Sequence, residues 1–169
     1  TVTRRHDTDG VIAPPPLLYL VALGLGFALD RVLASALLDG VPTVWRQGAA
    51  GLLLAVAGVL GVAGIVGFRR VHTPVEPWHP TRALVTTGVY ARVRNPMYLG
   101  LVLILAAIAL AAASEGTLLA TLAVAPVLHY GVVRREERYL ARLFGSAYAR
   151  YRARVPRWGL SISRRRRGD

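Results

Sequence analysis

The chain has 169 residues, of which 54% are hydrophobic and 18% are charged, and it contains no cysteine. This composition excludes a disordered chain, and the lack of cysteine excludes a disulfide framework and a thiolate metal site. The net charge of +12 comes entirely from arginine, which suggests nucleic acid as a partner until the arginines are placed along the chain.

Four apolar blocks follow one another along the chain, and none alternates with the period of a barrel strand. A helix needs roughly 20 apolar residues to cross a bilayer, with about 17 as the lower limit. We therefore predict an all-α, polytopic membrane protein with about four spans. The last two blocks would form a helical hairpin, for which a buried hairpin of a soluble protein is the alternative. The blocks are residues 17–38, 48–68, 97–113 and 117–133.

The first block contains Asp30 and Arg31, the only charges inside any block. A charge at the bilayer centre costs on the order of 3 kcal/mol or more, so the pair is a functional candidate. The alternative is that the span starts earlier, near Val11, with residues 14–16 as a proline-rich first turn. The pair would then lie at the outer interface.

The second block is rich in glycine, and small residues allow close approach of helices in lipid. We therefore expect this span to pack inside the bundle. Its glycines are Gly48, Gly51, Gly58, Gly61, Gly64 and Gly67.

The arginines predict how the chain crosses the membrane. Apart from Arg31 and Arg46, they fall in the N-terminal segment, between the second and third spans, and in the tail from Arg134 onward. Positive charge is retained on the cytoplasmic side, so both termini and the active site should be cytoplasmic, and the membrane would be the inner membrane if the protein is bacterial. Membrane lipids, rather than nucleic acid, are then the expected partners of the basic charge.

The segment between the second and third spans, residues 72–98, is the first of two polar segments that flank the hairpin. Three prolines in residues 74–80 forbid a continuous helix there. Pro96 fits the first turn of the third span, which puts Arg94 and Asn95 at the start of that helix. Free N–H groups and the helix dipole favour a carboxylate or phosphate at such a position. The alternative is that Arg94 is an interfacial anchor and Asn95 a helix cap.

The second polar segment continues the fourth span beyond Pro126, which should kink that helix. Its acids, Glu136 and Glu137, either pair with neighbouring arginines or hold a cationic group. His129 is a candidate hydrogen-bonding residue, base or ligand. The histidines lack the compact spacing of a metal site, so no metal is expected.

Beyond these acids, apolar residues recur with helical period from Leu140 to Val155, opposite a face of arginines. This pattern predicts a cytoplasmic amphipathic helix on the membrane surface or against the bundle. Tyr148 and Tyr151 are expected to serve in packing, and Gly145 suggests a bend or a close approach.

Three motifs in this order resemble the isoprenylcysteine carboxyl methyltransferase and phospholipid methyltransferase superfamily. They are Leu84-Val-x-x-Gly-x-Tyr90, Arg94-Asn-Pro-Met-Tyr-x-Gly100, and Glu136-Glu-x-x-Leu-x-x-x-Phe-Gly-x-x-Tyr-x-x-Tyr-x-x-x-Val-Pro-Arg157. The resemblance covers roughly residues 72–158. It implies a helical membrane enzyme that binds S-adenosylmethionine at the cytoplasmic ends of its last spans and receives its acceptor from the bilayer.

The resemblance also implies roles for individual residues. Glu136 and Glu137 would hold the methionine amino group or the ribose hydroxyls. Arg94 or Arg154 would position an anionic acceptor, and His129 would be the base if the acceptor is an amine. Many relatives carry histidine where this chain has Asn95, so that position is not expected to be the base. The implied cofactor-binding residues are Leu84, Val85, Gly88, Tyr90, Arg94, Asn95, Pro96, Tyr98, Gly100, His129, Glu136 and Glu137.

We therefore predict S-adenosylmethionine-dependent methyl transfer to a lipophilic acceptor, such as an isoprenylcysteine-type carboxylate, with S-adenosylhomocysteine as product. The chain would be a single membrane domain, with N-terminal spans (1–70), a catalytic half (71–158) and a basic tail (159–169). One alternative is an NADPH-dependent membrane reductase, because membrane sterol reductases carry a related Arg-x-Pro-x-Tyr pattern. The other is a non-enzymatic membrane scaffold of the same fold.

Overall fold

The structure is a computed structural model, and it describes residues 15–33, 37–72 and 83–159. Helices account for 79% of these residues and no strand occurs among them, which confirms the all-α prediction. The α-helices are α1 (Pro15–Asp30), α2 (Thr43–Arg70), α3 (Pro96–Ala111), α4 (Glu115–Leu128) and α5 (Arg134–Arg154). A 3₁₀ helix, Gly88–Ala91, precedes α3, and a π-helical turn, His129–Val133, joins α4 to α5. The proline-rich residues 73–82 lie outside the described ranges.

Pro96 begins α3 as the sequence predicted, at a position where the missing N–H has no intrahelical partner to lose. The described part of α1 starts at Pro15. α1 ends at Asp30, so Asp30 and Arg31 lie at a helix end and not within the span. This supports the interfacial interpretation of the pair, although Val11 lies outside the described residues.

The helices form an up-and-down bundle in which α2 packs on α3, α3 on α4, and α4 on α1. Asp30, at the end of α1, contacts the residues that begin α4. Arg46, at the start of α2, donates from Nη1 to the carbonyl of Leu110 near the end of α3. One end of the bundle therefore holds the first turns of α1 and α3 together with the last turns of α2 and α4. The candidate site lies at that end.

α2 packs through one narrow stripe of small residues. Ala50, Ala57 and Gly64 are its buried residues, and a Cβ added to Gly100 of α3 would lie 3.2 Å from the carbonyl oxygen of Ala57. Only 17% of the most apolar window of α2 is buried. The prediction that this helix packs inside the bundle is therefore wrong. Four of its glycines have no neighbour within 4 Å of an added Cβ: Gly48, Gly51, Gly58 and Gly61.

The exposed faces of the helices are apolar, as a lipid environment requires. Leu20 and Leu25 of α1, and Leu52 and Val59 of α2, are each more than 60% exposed. Such an apolar surface on a soluble monomer would be an aggregation hazard, whereas acyl chains cover it at no cost. Two helical segments, Thr43–Arg70 and the run from Glu115 to Arg154, are long and apolar enough to cross a membrane. The shorter α1 and α3 have 16 residues each.

A hydrogen-bonded cap joins α1 to α4 at the other end of the bundle. Asp30 accepts from the backbone N–H of Gly116 at 2.6 Å through Oδ1 and from the Ser114 hydroxyl at 2.5 Å through Oδ2. Ser114 in turn caps α4 by accepting from the Thr117 N–H at 2.9 Å. A carboxylate at a helix N-terminus is also favoured by the helix dipole. Gly26 allows this contact, because an added Cβ would lie 2.5 Å from the Thr117 Cα.

Replacing Asp30 should therefore destabilise the bundle. In the Asp30→Ala variant the Gly116 N–H loses a charged acceptor, and hydrogen bonds to charged groups contribute about 1.5–3 kcal/mol. We expect a lower unfolding temperature in detergent for this variant. Asp39→Ala removes an exposed carboxylate in the following turn and should unfold like the wild type. Equal unfolding temperatures for the two variants would contradict the capping role of Asp30.

Candidate active site

The two polar segments that flank the α3–α4 hairpin meet at one end of the bundle. The start of α3 faces the π-helical turn and the first turn of α5. Residues 155–158, which follow α5 and are called the strap below, fold back between them. The sequence predicted that the hairpin would bring the start of α3 close to the segment that follows α4. The contacts between these two regions confirm that prediction.

An ion-pair cluster of Arg94, Glu137 and Arg157 lies at this meeting point. Arg157 donates to both carboxylate oxygens of Glu137, from Nε to Oε1 at 2.7 Å and from Nη2 to Oε2 at 2.6 Å. Arg94 places Nη1 2.9 Å from Glu137 Oε1. The Glu137 side chain is only 10% exposed, and its hydrogen bonds raise the pKa of Arg157 above the ordinary arginine value. Two guanidinium groups on one carboxylate leave the cluster with excess positive charge.

Arg94 is buried and not fully satisfied. Its side chain is 9% exposed, and Nη1 also donates to the Tyr148 hydroxyl at 3.2 Å. Its Nε is buried and has no hydrogen-bond partner among the residues that the structure describes. An unpaired buried N–H of a charged group is costly and uncommon in folded proteins. This donor, beside excess positive charge, fits a ligand that brings an anionic oxygen.

Glu136, next to this cluster, belongs to a different hydrogen-bond chain. Its Oε2 accepts from the Tyr98 hydroxyl at 3.1 Å, and the Tyr98 carbonyl accepts from the Tyr19 hydroxyl at 3.3 Å. Tyr19 is a buried residue of α1. The two adjacent acids therefore differ in burial: Glu137 is buried with both oxygens bound by arginine, whereas Glu136 is half-buried and accepts from the Tyr98 phenol.

The strap is held by every element around it. The backbone N–H of Arg94 donates to the Pro156 carbonyl at 3.1 Å, and Asn95 Nδ2 donates to the Arg157 carbonyl at 3.2 Å. Asn95 occupies the N-cap position of α3, but its side chain makes no capping hydrogen bond. The interpretation of Asn95 as a side-chain helix cap is therefore wrong, because its amide is used to hold the strap.

His129 faces the strap from the π-helical turn. Its Nε2 lies 3.4 Å from Arg157 Nη1, and its Nδ1 lies 3.4 Å from the indole Nε1 of Trp158. A neutral imidazole has one acceptor nitrogen, and both neighbours only donate, so one contact at a time is a hydrogen bond. Among the described residues, no group of three His, Asp or Glu side chains is arranged for a metal ion.

Several sequence-predicted site residues serve in packing between α2, α3 and α5. Tyr90 is buried against Phe68 of α2, and its carbonyl accepts from the Tyr151 hydroxyl at 2.8 Å. Gly88, in the left-handed region at φ 62°, makes the turn before it. Gly100 faces α2. Leu84, Val85 and Pro96 are buried or half-buried at these interfaces.

Arg154, a predicted catalytic residue, is not brought to the cluster either. It is exposed near the end of α5, and its Nε donates to the Arg150 carbonyl at 3.3 Å. Arg157 takes the place beside Glu137. Arg157 ends the third sequence motif, but its contact with Glu137 could not be predicted because the two residues are 20 positions apart in the chain.

Gly145 makes the return of the strap possible. A straight α-helix from Glu137 to Arg154 would extend about 25 Å, yet Arg157 touches Glu137. Gly145 has φ 50° and ψ −122° in the middle of α5, a backbone conformation that favours glycine. The bend predicted at Gly145 is thus confirmed. It folds the second half of the helix back so that Tyr148 and Tyr151 are buried.

The cluster predicts a stability effect as well as a binding effect for Glu137. Glu137→Ala leaves Arg94 and Arg157 facing each other without a carboxylate, and breaking a buried ion pair costs about 3–5 kcal/mol. We expect a large fall in unfolding temperature in detergent. The unfolding temperature of Glu137→Gln, which keeps one acceptor oxygen, should fall less. A Glu137→Ala variant that unfolds like the wild type would contradict the structural role of the cluster.

The sequence model of the phospholipid methyltransferase family matches residues 45–147, more than half of the chain. The match runs from α2 into α5 and includes Arg94, Tyr98, Glu136 and Glu137, but not α1 or the strap. No curated protein and no solved structure gives a significant match. The resemblance deduced from the sequence motifs is confirmed: the chain belongs to the phospholipid methyltransferase family, part of the isoprenylcysteine carboxyl methyltransferase-like superfamily of membrane methyltransferases.

Proposed function

We propose that the chain transfers a methyl group from S-adenosylmethionine to a lipophilic acceptor, and that a carboxylate of the isoprenylcysteine type is the favoured acceptor. Membership of a methyltransferase family supports the reaction class. The observation that carries the finer proposal is the buried cluster of Arg94, Glu137 and Arg157, with its excess positive charge and the unpaired Nε of Arg94.

The donor set around the cluster fits the methionine end of this cofactor, which carries one carboxylate and one ammonium group. Arg94 has a spare buried donor for an anionic oxygen. Glu136, which is half-buried beside the cluster, supplies a second carboxylate for the ammonium group or the ribose hydroxyls. When bound, the cofactor supplies an electrophilic methyl group on a sulfonium. The side chains of this protein bind, orient and exclude water.

The charge of the cluster also favours an anionic acceptor over a cationic one. Methyl transfer to a carboxylate requires no base at neutral pH, whereas an amine must first lose its proton. An ammonium headgroup would be repelled by the uncompensated guanidinium charge. A carboxylate acceptor carries the opposite charge to the two guanidinium groups, and His129 is needed as a base only in the amine case.

Cytoplasmic placement of the site in a multi-pass chain is part of the proposal. The end of the bundle that carries the site also carries Arg69 and Arg70 at the end of α2 and the arginines of α5. Positive charge beside apolar helices is retained on the cytoplasmic side. The apolar outer faces of α1 and α2 support approach of the acceptor from the bilayer, with membrane lipids as the other partners.

Calorimetric titration of the detergent-purified protein with S-adenosylhomocysteine tests the cofactor. We expect saturable binding, weakened at least tenfold in Glu136→Gln by loss of the carboxylate charge. A parallel titration with NADPH should show none. Binding of NADPH alone would assign a reductase instead, and binding of neither ligand by a folded sample would favour a scaffold without enzymatic activity.

The pH dependence of methyl transfer tests the acceptor class. An α-carboxyl group has a pKa of about 3.5, so it is ionised throughout pH 6–8 and its methylation rate should change little. As long as the pH is below the pKa of an amine headgroup, each unit of increase in pH would raise its methylation rate roughly tenfold. Transfer of radiolabelled methyl to a farnesylcysteine derivative and to phosphatidylethanolamine vesicles should be compared across this range. A rate confined to phosphatidylethanolamine would overturn the carboxylate assignment.

A further inference from the structure

The strap contacts residues that the sequence predicted to bind the cofactor. We infer that Arg157 is a positioning residue: through its bidentate bond to Glu137 it holds the strap as one wall of the cofactor site, and so sets the affinity for S-adenosylmethionine. This inference rests on the proposed function. Arg157 lies outside the residues matched by the family model.

The strap joins three parts of the site at once. Its Pro156 and Arg157 carbonyls accept from Arg94 and Asn95 at the start of α3. Its Arg157 side chain binds Glu137 on α5. Trp158 donates toward His129 on the π-helical turn. The position of the strap therefore determines how these elements stand relative to one another.

Arg157 supplies the strongest of these contacts. Its two parallel hydrogen bonds to a carboxylate are charge-assisted, whereas the carbonyl and indole contacts are single and lack a charged partner. The bond uses both carboxylate oxygens of Glu137, whereas Arg94 contacts only Oε1. Lysine would keep the charge but not the fork that matches the carboxylate. The planar guanidinium, and not merely a positive charge, is therefore what orients Glu137.

Arg157 also provides the excess charge of the cluster. With Arg157 removed, one guanidinium and one carboxylate remain, and the cluster becomes neutral. Arg94 would then be fully compensated by Glu137 and less able to receive an anionic oxygen. Loss of the positioning contact and loss of the charge act in the same direction, toward weaker cofactor binding.

The test compares three variants of the full chain in detergent: Arg157→Ala, Arg157→Lys and Arg152→Ala. Arg152 is an exposed arginine of α5 and serves as the matched control. Two quantities are measured, the affinity for S-adenosylhomocysteine by calorimetry and the hydrogen-exchange rate of the Arg94 amide. The amide reports on the strap without any ligand, because it donates to Pro156.

We expect Arg157→Ala to weaken binding roughly ten- to a hundredfold, the range of a lost charged hydrogen bond, and to speed exchange at Arg94. Both the affinity and the exchange rate of Arg157→Lys should lie between those of Arg157→Ala and the wild type. Arg152→Ala should match the wild type in both. Wild-type affinity in a folded Arg157→Ala variant would overturn the inference, even if exchange increases. If Arg157→Ala does not fold, wild-type affinity in Arg157→Lys would overturn it. A wild-type protein that binds no S-adenosylhomocysteine would instead refute the proposed function, while the exchange measurement would still decide whether Arg157 holds the strap.

Discussion

The carboxylate of Glu137 is the single group on which the geometry of the site depends. Two arginines from distant parts of the chain converge on it, one ahead of α3 and one beyond α5. A buried charge is tolerated only when it is paired, so each member requires the others. The requirement forces the start of α3, the first turn of α5 and the strap into one place. The packing of Tyr148 and Tyr151 then follows, because the chain between Glu137 and Arg157 has to turn back.

The bundle supplies a frame for this ion pair with very little polar contact inside the membrane region. Small residues allow α2 and α3 to approach, as Ala57 and Gly100 show, and Gly26 allows α1 to reach α4. Tyr19 extends the influence of α1 to the site through Tyr98 and Glu136. Although α1 lies outside the family match, it thus contributes to the organisation of the site.

Much of this fold was predictable because prolines, glycines and apolar blocks act locally. Pro96 begins α3 and Gly145 bends α5, and both effects were evident in the sequence. The inward packing of α2 was predicted wrongly, because glycine content does not reveal which face meets a neighbour. The sequence did not reveal the partners of Glu137 or the partner of the Asn95 amide, because both depend on where the strap returns. That return is a tertiary contact over 20 residues of chain, beyond the reach of helical periodicity.

The neighbour relations of the helices have a consequence for assembly during synthesis. α1 is made first, but it packs on α4, and α2 and α3 lie between them in the chain. The Asp30 carboxylate at the end of α1 therefore lacks these hydrogen-bond partners until Ser114 and Gly116 have been translated. Helices of a membrane bundle insert individually and associate afterwards. The association of α1 with α4 is therefore a late step, because two further helices are made between them.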